Sequence, residues 1–119
     1  MDRALLANCV AELHSLRARL AVEVQRGEES IVEAAQVAGD PTHLPTHAAD
    51  YDSGAVESNV ATTEQQAETL AAVAEALQRV ADGTFGRCQL CGGNIAPLRL
   101  EAIPYTPYCF GCAAKLEGE

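Results

Sequence analysis

The chain has no tryptophan, two phenylalanines and three tyrosines among 119 residues. So few rings make a wide aromatic-lined cavity for a large substrate hard to build, which argues against an enzyme with a deep active site. Lysine occurs once, and no Lys or Arg at all lies between Gly27 and Gln78. With 8 basic against 17 acidic side chains the formal charge is -9. That balance argues against a nucleic-acid binder held by phosphate contacts, so direct DNA binding is not expected. No apolar run approaches the roughly 20 residues needed to cross a bilayer, and no basic-then-apolar leader opens the sequence. The expectation is a soluble, cytoplasmic protein of about one domain with no membrane partner.

What the chain does have is alanine, roughly a fifth of all residues and well above ordinary usage. Such composition favours helices that pack closely on one another. Leu6, Cys9, Leu13, Leu16 and Leu20 alternate at steps of three and four, the spacing of a coiled-coil seam, and Val24 and Ile31 extend it. Gly27 falls inside this segment, where a bend or local softness is expected; a break there would give a compact bundle of shorter helices instead. Gly39-Asp40-Pro41 stops the first helix, and Asp52 or Ser53 can cap a second running to about Asp82. The second seam is Val56, Thr63, Leu70, Val73, Leu77 and Val80. Its first half is poor in large apolar residues and should pack more loosely. The fold expected is mainly α: a long antiparallel helical hairpin, a coiled coil, over 1–82, with a tip loop at 39–52. At 1.5 Å per residue each arm is about 45–50 Å long.

Charge is distributed unevenly along that hairpin. Ten carboxylates from Glu28 to Glu75 stand in the stretch without a cation. A field of this kind steers that part toward a basic or metal-bearing surface, unless it serves only solubility.

The composition changes at Gly83. Cys88 and Cys91 form one C-x2-C pair, Cys109 and Cys112 another, and seventeen residues separate them. Two intervening residues let both sulfurs of a pair point at one centre. Two such pairs at this distance are the signature of a tetrahedral four-thiolate Zn²⁺ site. Disulfides are disfavoured where nothing indicates export, and a redox C-x2-C needs only one pair near a βαβ pattern. Four cysteines fill every position, so the single zinc is structural and holds together a small finger over 83–119. Four thiolates around Zn²⁺ carry a formal charge of -2, for which Arg87 and Arg99 are natural partners just outside the ligands. The glycines after Cys91, and Gly111 in the second pair, can turn backbone N–H groups toward the sulfurs. Cys9 reads as a small buried residue on the first seam; a redox partner for the zinc cysteines is the alternative. His43 and His47 lie in the tip loop beside Asp40, Asp50 and Asp52, but ligands on an unsupported loop rarely hold a metal alone.

The run GTFGRCQLCGGNI, followed by RLEAIP and then CFGC, resembles the TraR/DksA C4-type zinc-finger proteins. The specific match covers Gly83 to Cys112, and a long hairpin precedes the finger in that family too. The resemblance implies a regulator that binds bacterial RNA polymerase through its secondary channel. The hairpin tip then approaches the active-site Mg²⁺ and alters initiation without contacting DNA. His47-Ala48-Ala49-Asp50 resembles the tip motif of some members, so Asp50, then Asp52, with His47, are the residues expected to act on the partner. Only seven residues follow Cys112, which curtails the C-terminal helix of longer members to a short tail. Ile103, Ala113 and Ala72 stand where basic residues that respond to guanosine tetraphosphate would be sought, so little response to that nucleotide is expected. The rivals are a zinc-stapled interaction hairpin with another partner, a thiol or zinc redox sensor, and a transcript-cleavage factor whose tip carboxylates recruit Mg²⁺.

Overall fold

The computed structural model describes residues 1–39 and 48–118, with the side chains of 36–57 left outside that description. Four helices follow in order: α1 (Arg3–Gly39), α2 (Ala48–Asp82), α3 (Pro97–Ala102) and α4 (Phe110–Glu117). Among the described residues there is no strand, only one antiparallel bridge between Arg87 and Asn94. No helix among them is long and apolar enough to cross a membrane.

The helix α1 runs unbroken through Gly27 for 37 residues, so the bundle of shorter helices is not formed. The helix α2 spans Ala48–Asp82, so Asp52, sought as its cap, lies inside it. The backbone of Asp50 and Asp52, read from the sequence as part of the 39–52 loop, is helical. His43 and His47 lie outside the described residues.

Packing divides the chain into two compact units. One is Met1–Ala18 with Leu70–Glu119, the other Arg19–Thr69. The composition change at Gly83 therefore marks the end of a helix, while the packing joins the finger to the first and last turns of the helical pair.

In Arg19–Thr69 the two helices are antiparallel. Glu23 meets Gln66, whose Nε2 donates to its carboxylate at 3.0 Å. Four residues on, Gly27 meets Thr63, three residues back. Leu20 and Thr63 are buried, with Val24, Ile31 and Val60 half-buried. Polar and small residues therefore replace the large apolar ones missing from this part of the seam. Gly27 is what lets the helices approach: a Cβ on it would lie 3.2 Å from both Cβ and Cγ2 of Thr63 and closer still to the hydroxyl. The exposed Arg19–Glu23 pair at 4.0 Å adds little, since ion pairs in water are worth well under about 1 kcal/mol.

The other unit holds the apolar core. Leu13, Val73 and Ala76 have no exposed surface, and full burial of a side chain like Leu13 contributes about 1.5–3 kcal/mol. A second cluster consists of Cys9, Cys88, Ile95 and Leu100, with Leu5, Phe85 and Tyr108 packed against it. The N-terminal turns of α1 thus roof the finger.

Gly27→Ala tests the close approach. On propensity alone alanine stabilises a helix by about 1 kcal/mol over glycine. Overpacking against Thr63 costs about 1–3 kcal/mol. Thermal melting of the full chain should therefore show Gly27→Ala less stable than wild type, with Thr63→Ala in the same chain restoring much of the loss. A more stable Gly27→Ala would contradict this packing.

Candidate metal centre

The finger begins where α2 is capped. Gly83 takes φ 79°, a left-handed conformation open to glycine. Thr84 N–H then donates to the Arg79 carbonyl at 2.9 Å and Gly83 N–H to Val80 at 3.3 Å, closing the last carbonyls of the helix. From there the chain turns directly into the first cysteine pair.

That pair sits on a tight hairpin. Ile95 N–H donates to the Gly86 carbonyl and Cys88 N–H to that of Gly93, both at 2.8 Å. Gly92, at φ 73°, makes the turn, and its N–H reaches the Cys88 carbonyl at 3.0 Å. Gly93 N–H then points at Cys91 Sγ, 3.4 Å away. Of the two glycines after Cys91, Gly93 thus turns its amide toward a sulfur, while that of Gly92 goes to a carbonyl.

The second pair is built differently. Pro97 opens α3, where a missing N–H costs nothing, and Pro104 follows its end. Cys109 is the N-cap residue of α4, and Cys112 lies in its first turn. Gly111 is an ordinary helical residue here; the amide that faces the Cys109 sulfur belongs to Cys112. Gln89 N–H of the first pair donates to the Pro107 carbonyl at 2.8 Å, tying one pair to the other.

The result is convergence. The four sulfurs of Cys88, Cys91, Cys109 and Cys112 all lie within 4.8 Å of one another. Cys91 Sγ and Cys109 Sγ are 3.9 Å apart. Four sulfurs at about 2.3 Å from one ion define a tetrahedron with edges of about 3.8 Å, so the set needs only a small contraction to ligate Zn²⁺. Proton affinities explain why a cation belongs there. The Cys91 amide, chief among several donors, pulls Cys88 down to about 6, and the Cys112 amide lowers Cys109. Hydrogen bonding to Cys109 and then to Cys88 pushes Cys112 up to about 12. Without a metal the cluster keeps protons among its sulfurs; with one, charge on Zn²⁺ takes their place.

The arginines do less at the sulfurs than expected. Arg99 spends its guanidinium on the loop before Cys109, Nε donating to the Tyr108 carbonyl at 2.9 Å and Nη2 to Thr106 Oγ1 at 3.3 Å. Arg87 is exposed, its backbone held by the bridge to Asn94. Cys9 lies outside the four-sulfur group, buried, with its thiol 3.9 Å from the Leu100 carbonyl. Burial, then the nearby Glu101, raises its proton affinity, which leaves it an unreactive thiol.

Residues 83–118 match the prokaryotic dksA/traR C4-type zinc-finger family. The finger is of the dksA/traR type. Its four cysteines are positioned to hold one metal ion, the structural zinc of such fingers. A protein of Aquifex aeolicus (strain VF5) described as uncharacterized is 45% identical over 51 residues, 43% of this chain and 35% of its own length. General stress protein 16O of Bacillus subtilis (strain 168) is 28% identical over 109 residues, 91% of this chain and 66% of its own. The chain therefore spans about a third of one relative and 66% of the other. With all four positions of the dksA/traR finger filled by sulfur, none is left for a water or substrate.

Zinc binding at pH 7 should release protons, because the Cys112 thiol, at about 12, must ionise to ligate. Affinity should fall as pH drops through about 6, where Cys88 also takes up a proton. Calorimetry in buffers of different ionisation enthalpy measures the release; binding without proton release would contradict the assignment.

Proposed function

We propose that this protein is a cytoplasmic transcription regulator that acts on bacterial RNA polymerase, binds no DNA and catalyses nothing itself. The observation that carries the reading is the dksA/traR-type finger at 83–118 joined to a helical pair whose charge is concentrated in one unit. In Arg19–Thr69 ten carboxylates face only Arg19 and Arg26, so eight of the nine net negative charges fall there. The finger unit is nearly neutral.

Physical chemistry connects these parts. A narrow pair of helices can enter a channel that a globular domain cannot. A carboxylate carried on it can act on a metal centre there, since Coulomb terms fall off slowly where little water intervenes. On this reading the polymerase is entered through its secondary channel, and Asp50 is the principal effector with Asp52 and His47 beside it. The stress-protein name of the Bacillus relative is in keeping with a regulatory role.

The test is binding of the zinc-loaded chain to purified bacterial RNA polymerase core, with wild type beside Asp50→Asn and Asp52→Asn and a transcription readout. All three proteins should bind alike. The regulatory effect should be lost in Asp50→Asn and weakened in Asp52→Asn, and guanosine tetraphosphate should leave it unchanged. Absence of binding at micromolar concentrations would overturn the proposal, and shortened RNA in stalled complexes would replace it with transcript cleavage.

A further inference from the structure

Thr106 is polar yet 5% exposed, and every bond its hydroxyl can make is made. Its Oγ1 donates to the Tyr108 carbonyl at 3.1 Å and accepts from the Tyr108 N–H at 3.4 Å and from Arg99 Nη2 at 3.3 Å. Arg99 Nε adds a bond of 2.9 Å to the same Tyr108 carbonyl. One backbone residue is thus gripped at both its N–H and its C=O, and the next residue is Cys109. Neither Thr106 nor Arg99 needs to touch a sulfur to control where that sulfur goes.

We infer that Thr106 and Arg99 are positioning residues for zinc: they preset the second cysteine pair through the Tyr108 backbone before the metal arrives. The two pairs need this help unequally. Cys88 and Cys91 ride on a hairpin closed by its own backbone bonds. Cys109 and Cys112 ride on the start of an eight-residue helix, too short to be stable by itself. The segment before that helix has no hairpin partner of its own. It is held from outside, by Arg99 of α3, by Gln89 of the first pair and by Arg79 of α2, whose Nη2 lies 3.5 Å from the Tyr105 carbonyl. Thr106 stands between the Arg79 and Gln89 ties, at Tyr105 and Pro107, and takes the Arg99 tie on its own hydroxyl. The role is geometric, since the hydroxyl carries no charge to offset the thiolates.

The test uses the full chain and three variants. Thr106→Val keeps the shape and removes the hydroxyl. Thr106→Ser keeps the hydroxyl. Arg99→Lys keeps the charge and loses the planar two-point donor. Zinc affinity is read by competition with a chelator of known strength. The order in which cysteines react with iodoacetamide as zinc leaves is read by mass spectrometry. Thr106→Val and Arg99→Lys should weaken zinc by about 10- to 100-fold, the usual effect of losing a residue that orients a ligand. Cys109 and Cys112 should then be labelled before Cys88 and Cys91, and Thr106→Ser should restore both affinity and order. Wild-type affinity in Thr106→Val, equal weakness in Thr106→Ser, or labelling spread evenly over all four cysteines would each overturn the inference. The last pattern would mean general destabilisation of the finger.

Discussion

Four sulfurs that must share one centre are the constraint on which the finger unit depends. Thiolates repel, and thiols hold their protons, so the cluster of Cys88, Cys91, Cys109 and Cys112 closes only around a cation. Everything near it can be read as a means of bringing those sulfurs together. Gly83 turns the chain out of α2, Gly92 reverses it just after the first two ligands, and Cys109 starts a helix in which the Cys112 amide faces its sulfur. The apolar surface left on the inner side of this framework is small, and it is completed from elsewhere in the chain. Leu5 and Cys9 of α1 pack on the cluster of Ile95, Leu100 and Cys88. Finger and helices therefore share one core, and loss of the metal should be felt in the first turns of α1 as well as in the finger.

The unit formed by Arg19–Thr69 is stabilised by other means. Its interface has Thr63, Gln66 and Gly27 where a more apolar helix pair would have leucines. Close approach through glycine and one polar bond between helices replace much of the apolar burial. The same segment carries nearly all the net negative charge, and mutual repulsion opposes its compaction. A segment built this way is not optimised for stability. Under the functional reading that composition is explained by a partner whose surface or metal ion receives the acid.

Much of the fold was legible because it rests on signals that survive in one dimension. Two cysteine pairs at metal spacing, leucines at steps of three and four, and a glycine after Asp82 each imply a definite geometry. Other features left no such trace. Ala76 is fully buried, but in a chain so rich in alanine it does not stand out from its neighbours, and Leu77 looked the better seam residue. Gly27 reads as a helix weakness by propensity, whereas its value lies in a contact with Thr63, 36 positions away, which only the folded pairing creates. Arg99 was recognisable as a cation near the ligands, but its partner, a backbone carbonyl, has no sequence signal. Thr106 could have been noticed only as an isolated polar residue between two prolines and two tyrosines. That α2 includes Ala48 was obscured by Asp52 and Ser53, residue types that commonly cap a helix.

Zinc-edge X-ray absorption on the protein as purified tests the four-thiolate centre, because it counts and identifies the atoms around the metal. The expected result is one zinc per chain with four sulfur neighbours at about 2.3 Å and no nitrogen or oxygen. A mixed shell, or cysteines paired as disulfides with no bound zinc, would contradict it.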